Sequence, residues 1–211
     1  DWSSDVCSSD LVFFIDASLA GKSAELAKLA MESALLGSGQ FCTKPGILVV
    51  PNGKNGDEFI GEIKSITSAA KVGPLLNSAI ASRYSEAITK LSQSKDLLVF
   101  AGVKNESGFS VTPTVFVVNW NQISKHQELL EEHFGPTTVI IRAEQSEFST
   151  IAKSLGGQLT AAIHVPNTAL DQQTNDLIAQ LSQIAGRIIF NGFPTSVSVT
   201  AAMQHGGQWP A

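Results

Sequence analysis

Cysteine is scarce in this 211-residue chain, which carries two, Cys7 and Cys42. A disulfide framework is therefore not what would hold the fold together. A chain this long can bury a full apolar core, and free thiols suit a reducing compartment, so a cytoplasmic protein is expected. Basic clusters are also missing: the formal net charge is −5, and no run of Lys or Arg exceeds two residues. Nucleic-acid binding needs clustered cations to displace counterions, so a nucleic-acid partner is not expected. The longest apolar runs have four to seven residues, far short of the ~20 that a membrane helix needs, so no membrane partner is expected either. No basic stretch followed by an apolar one marks a secretory signal. Histidine is sparse, and none of His126, His133, His164 and His205 stands at ligand spacing to another or to Cys42. No metal is expected.

What is present is a soluble-type balance, 43% hydrophobic and 16% charged, arranged as short apolar runs alternating with helical patterns. Strands are predicted over residues 12–15, 47–50, 97–100, 112–118, 138–141, 158–165 and 188–190. Helices are predicted over 23–36, with Ser23 as N-cap and Leu26, Leu29, Ala30 and Leu36 on one face, and over 57–67, 78–92, 146–155 and 168–185. This alternation predicts an α/β fold, an open, largely parallel sheet with helices on both faces. No linker or internal repeat divides residues 12–211, which read as one domain. Residues 1–11 repeat a Ser-Ser-Asp unit without helical or strand periodicity. They resemble a translated adapter, are set aside as a leader, and are expected to pack poorly. The loop-like composition of residues 206–211 suggests truncation at the other end.

Two stretches carry side chains suited to chemistry. In Gly37-Ser38-Gly39-Gln40-Phe41-Cys42-Thr43-Lys44-Pro45-Gly46 a helix runs into glycines and a thiol sits in a turn before a strand. Turns on a rigid scaffold commonly mount nucleophiles, and a thiol reacts as thiolate, which Lys44 and local backbone N–H groups would favour. Taken alone, a single cysteine is more often a small buried apolar side chain. A dinucleotide fingerprint is rejected here, because the third glycine is missing and a helix precedes where that motif needs a strand. The second stretch is Glu131-Glu132-His133-Phe134-Gly135-Pro136, whose carboxylates and ring suit a ligand hydroxyl and a planar group, or else form a solvated acidic helix end. A cysteine hydrolase or acyl-transferase, with a distant histidine as base, stays open, as does a remnant without chemistry.

Taken in order, the short motifs resemble those of the aldehyde dehydrogenase superfamily. Gly39-Gln40-Phe41-Cys42 resembles its G-Q-x-C nucleophile signature, and Val72-Gly73-Pro74-Leu75 its G-P segment before a long helix. The stretch from Gly108-Phe109 to Pro113-Thr114-Val115 resembles G-[FY]-x-x-x-P-T-[VL], and Glu132-His133-Phe134-Gly135-Pro136 resembles E-x-F-G-P. Leu155-Gly156-Gly157 and the 186–191 strand complete a match over residues 12–211. The resemblance implies a catalytic domain in which Cys42 attacks the aldehyde to form a thiohemiacetal. Hydride then passes to NADP or NAD, and the thioester left behind is hydrolysed. It implies that the Cys42 N–H helps bind the oxyanion, that Glu132 binds the nicotinamide ribose with Phe134 packed beside it, and that Asn191, Phe193 and Ser198 line the aldehyde channel. The family's general-base glutamate falls where Asp5-Val6-Cys7 stand, so that role is left unassigned. The dinucleotide-binding domain, which sets the choice between NAD and NADP, is expected upstream, and the fragment alone is expected to be inactive. Gly39 to Gly46 and Asn191-Gly192-Phe193-Pro194-Thr195 resemble the branch oxidising 2,5-dioxopentanoate, with long-chain aldehyde dehydrogenases as neighbours. The partners implied are a small-molecule aldehyde and, for the full-length protein, further copies of itself.

Overall fold

A computed structural model of the chain describes residues 10–195. Its elements in order are β1 (Asp10–Phe14), α1 (Asp16–Leu19), α2 (Ser23–Leu35), β2 (Pro45–Pro51), α3 (Lys54–Ala69), α4 (Ser78–Leu91), β3 (Leu98–Ala101), β4 (Thr114–Asn119), β5 (Thr137–Ala143), α5 (Phe148–Ser154), β6 (Gln158–His164), α6 (Gln172–Ile184) and β7 (Ala185–Phe190). The seven strands form one sheet in the order β3-β4-β5-β2-β1-β6-β7. Every pairing is parallel except β3 with β4, as the alternating pattern predicts.

Strands β1 and β2 lie at the centre and are buried along their whole length. Side chains alternate across a strand, so each run feeds two cores. Leu11, Phe13, Ile47 and Val49 face one layer, with Phe148 and Ile151 of α5 and Leu177 and Leu181 of α6. Val12, Phe14, Leu48 and Val50 face the other, with α2 and Phe59, Ile60 and Ile63 of α3. Among the described residues no helix is long and apolar enough to cross a membrane.

The structure corrects several sequence expectations. Helix α2 buries Leu26, Ala27, Ala30, Met31 and Ala34, while Leu29 and Leu36 are exposed. Ser23 is the first helical residue and not the cap: its hydroxyl donates to the Leu19 and Asn55 carbonyls at 3.1 and 3.3 Å. Helix α6 starts later than predicted, at an Asp171 cap that accepts from the Thr174 N–H at 2.7 Å. The stretch without an assigned element holds two 3-10 helices, Trp120–Lys125 and Gln127–Leu130, which bury Ile123 and Leu129.

The leader boundary is corrected as well. Asp10 and Leu11 belong to β1 and are fully buried, because the strand needs its first residues to pair with both β2 and β6. Residues 1–9 lie outside the described residues. Burying Asp10 has an electrostatic cost: Oδ1 accepts from the Thr160 N–H at 2.8 Å, but among the described residues Oδ2 has no hydrogen-bond partner. Burial lifts its pKa to about 7, against the opposing pull of Thr160 and Arg187. A folded-state pKa raised above the unfolded one gives stability present at pH 4 and lost as pH rises through about 7. Asp10→Asn should therefore raise Tm by about 5 °C or more at pH 8 and by little at pH 4, as thermal melts would show. Equal shifts at both pH values would contradict a buried charge at this position.

Candidate active site

A parallel sheet has loops at both edges, and ligands in such folds usually sit beyond the carboxyl ends of the strands. Here the motifs gather at the opposite edge, where β2, β4 and β5 begin. Helix α2 ends in a 3-10 turn, Leu36–Gly39, in which Gly37, Ser38 and Gly39 all have positive φ. Those left-handed residues reverse the chain and set Cys42 in an exposed turn ahead of Pro45. In the structure this thiol is exposed and is not part of the core.

Three neighbouring segments fasten that turn. The Ser38 hydroxyl donates to the Gly73 carbonyl at 3.1 Å, and the Leu76 N–H donates to Gln40 Oε1 at 2.9 Å. Leu75 N–H in turn donates to the Phe109 carbonyl at 3.0 Å. The third segment is the 131–137 loop, and it lies closest. A methyl group on Gly39 would overlap the Gly135 carbonyl oxygen and stand 2.8 Å from Pro136 Cα. On its other side a methyl group on Gly135 would stand 2.6 Å from the Tyr84 ring. The Tyr84 hydroxyl shares its proton between the Thr112 and Pro136 carbonyls at 2.9 and 3.1 Å. Two backbones and one ring are thus stacked without room for a side chain.

Lys44 reaches across the same junction. Its Nζ donates to the carbonyls of His133, Gly135 and Thr137 at 3.1, 3.0 and 2.8 Å, and the residue is 5% exposed. Burial draws its pKa down to about 8, with the Glu132 charge opposing. Three carbonyl acceptors also favour the ammonium, the only form with three donors. These bonds tie the thiol turn to the 131–137 loop, and they leave the expected help to the thiolate untested.

Glu132 and Phe134, picked out from the sequence, project from this loop into a cleft of about 440 Å³ shared with Arg83, Tyr84 and Ala87 of α4. Phe134 is 40% exposed. Burial raises the Glu132 pKa, and the Lys44 charge lowers it. His133 bonds through Nε2 to the Glu128 carbonyl at 2.9 Å, and burial lowers its pKa. A carboxylate and an open ring at one cleft fit a hydroxyl-bearing, planar ligand such as a nicotinamide riboside, so the residues present suit that cofactor.

The other candidates are placed elsewhere. Asn191 follows β7, at the carboxyl edge of the sheet, opposite the thiol; its Oδ1 accepts from the Val165 N–H at 2.8 Å. Phe193 packs on His164 and Phe14, with ring centroids 4.7 and 6.3 Å apart. From there the chain returns to the thiol loop at Thr195, whose hydroxyl lies 2.5 Å from that of Ser33 and 3.4 Å from the Thr43 carbonyl. Ser198, Asp5 and Cys7 lie outside the described residues. Thr195, Tyr84 and the Lys44 clamp were not found from the sequence, since long-range hydrogen bonds leave no periodic signal. No group of three or more His, Cys, Asp or Glu among the described residues could hold a metal.

The aldehyde dehydrogenase family profile matches residues 9–208. The chain is 31% identical over 203 residues to the alpha-ketoglutaric semialdehyde dehydrogenase of Acinetobacter baylyi, covering 95% of this chain and 38% of that protein. It is 30% identical, with the same coverage, to alpha-ketoglutaric semialdehyde dehydrogenase 2 of Azospirillum brasilense. The chain thus spans under two fifths of the length of these relatives. Its fold is similar to that of Delta-pyrroline-5-carboxylate dehydrogenase from Mycobacterium tuberculosis bound with NAD, at TM-score 0.77, 17% identity, and 97% and 38% coverage of the two chains. Lactaldehyde dehydrogenase from Escherichia coli is similar at TM-score 0.70, 19% identity, and 95% and 41% coverage.

Two glycines separate backbone strain from collision. Gly21 and Gly39 share a φ near +70°, yet a methyl group at Gly21 would meet nothing within 4 Å. Gly21→Ala should cost about 1 kcal/mol, the ordinary left-handed penalty. Gly39→Ala should cost at least about 3 kcal/mol, since it also forces the two loops apart. Equal losses in denaturant titrations of the two variants would show that the loops are not in contact.

Proposed function

The chain belongs to the aldehyde dehydrogenase family, and on that premise we propose that it is the thiol-bearing part of an NAD(P)-dependent enzyme oxidising an aldehyde to a carboxylate, with Cys42 as nucleophile. The observation that carries this reading is the junction of two loops: the exposed Cys42 turn is fastened to the loop that presents Glu132 and Phe134. The Cys42 thiolate adds to the aldehyde carbon, forming a C–S bond and placing negative charge on oxygen. The Cys42 backbone N–H stabilises that oxyanion as the charge develops. An oxidised nicotinamide, when bound, supplies the hydride acceptor. Glu132 receives its ribose hydroxyls and Phe134 packs beside it, which is why both must be held close to the thiol. Once the carbonyl is restored as a thioester, water releases the carboxylate and frees Cys42. No described residue is assigned as the base for that water.

The substrate we propose is 2,5-dioxopentanoate. Its support is the names of the two relatives at about 30% identity and the Gly39–Gly46 and Asn191–Thr195 motifs. The aldehyde is proposed to approach past Phe193 and Ser198, along the segment that returns to the thiol loop at Thr195. A cysteine hydrolase reading has less support: His133 Nε2 is engaged with Glu128, and His164 is buried against Phe14 at the far edge. The half-exposed β7, ending in an exposed Phe190, supports self-association of the whole protein. A reducing, cytoplasmic setting suits a chemistry that needs the free thiolate.

Iodoacetamide labelling with peptide mass mapping tests the nucleophile. Cys42 should be alkylated in the folded chain, within about tenfold of its rate in denaturant, at a rate that rises with pH as thiolate forms. Cys42→Ala should change stability by less than ~0.5 kcal/mol, as exposed substitutions do. In a protein that also carries a dinucleotide-binding domain, Cys42→Ala should abolish aldehyde oxidation and spare NAD(P) binding. Glu132→Gln should impair oxidation and leave the thiol reactive. A thiol that resists alkylation until denaturant is added would overturn the proposal.

A further inference from the structure

We propose that Lys44 is a positioning residue that sets the distance between the nucleophile and the cofactor-holding loop through its three hydrogen bonds to the 133–137 backbone. This rests on the reading of Glu132 and Phe134 given above. Lys44 stands two residues after Cys42, and its own N–H donates to the Phe41 carbonyl at 3.1 Å, so its backbone belongs to the thiol turn. Its side chain belongs to the other loop, since all three ammonium protons are taken by the His133, Gly135 and Thr137 carbonyls. Those acceptors straddle Phe134 and immediately follow Glu132. Fixing them therefore fixes where the carboxylate and the ring emerge relative to Cys42.

A buried apolar side chain would fill the same space and hold nothing. Long-range electrostatics add to the hydrogen bonds: the Glu132 carboxylate favours the ammonium, while His133, when protonated, would repel it. The geometry also explains why the loops meet as backbones. With Gly39 against Gly135, no side chain intervenes that could set the spacing by packing, so the spacing falls to a hydrogen-bonded staple. A neutral amine has two donors for three carbonyls, so the staple requires the charged form.

Hydrogen exchange of the 211-residue chain, read by mass spectrometry and corrected for intrinsic rates, tests this. In the unmutated chain, peptides covering 131–137 should be protected at pH 6.5 and exchange faster with a midpoint near pH 8, where the buried amine loses its proton. In Lys44→Met the same peptides should exchange at least tenfold faster at pH 6.5, with no pH step. Peptides from β2 should be unchanged, and Cys42 alkylation should stay within twofold. A Lys44→Met chain that keeps both the protection and the pH step would overturn the proposal, even if its Tm fell. Should that variant not fold, absence of the pH step in the unmutated chain would overturn it. Failure of Cys42 to react would instead count against the nucleophile reading and leave the staple standing.

Discussion

The amino edge of the sheet depends on the contact between Gly39 and the Gly135 carbonyl. Two loops that approach as bare backbones have little side-chain surface with which to hold each other, so their spacing must come from hydrogen bonds and from a floor beneath them. Tyr84 supplies the floor, its ring under Gly135 and its hydroxyl on the Thr112 and Pro136 carbonyls. Lys44 supplies the bonds. Left-handed Gly37, Ser38 and Gly39 supply the chain reversal that brings Cys42 to the same place.

Burying an ammonium is costly, because it leaves water and gains only what its partners return. Three donations to carbonyls and the nearby Glu132 charge offset that cost and leave each carbonyl satisfied. Asp10 shows the opposite balance at the start of β1. There a carboxylate keeps one bonded oxygen and, among the described residues, one without a partner, and burial raises its pKa by favouring the neutral form. Both groups lie at strand starts, where side chains are too enclosed for water yet adjoin loops that contribute polar atoms.

Much of this was legible in the sequence, for identifiable reasons. The parallel sheet follows from runs such as Ile47-Leu48-Val49-Val50, buried on both faces and separated by helical periods. The motifs that hold Cys42, Glu132 and Phe134 are spatial neighbours: the Gly73, Phe109 and Gly135 segments all fasten the thiol turn directly or through one another. That Lys44 turns its side chain to the 133–137 carbonyls was not legible, because sequence distance says nothing of which way a side chain turns. Leu29, expected on the core face, is exposed because the buried face of α2 is centred on Ala27, Ala30 and Ala34, whose weak hydrophobicity blurs the periodic signal. Asn191 follows β7 at the carboxyl edge, a placement that strand direction fixes and motif order does not.

The central claim is that Cys42 forms the covalent intermediate at this junction. Its most direct test is rapid chemical quench of a chain bearing both this segment and a dinucleotide-binding domain, mixed with 2,5-dioxopentanoate and oxidised NAD(P), followed by peptide mass mapping. The account predicts an acyl group on the peptide containing Cys42, formed only when the oxidised cofactor is present. Turnover with no acyl group on that peptide, or with the acyl group on another residue, would contradict it.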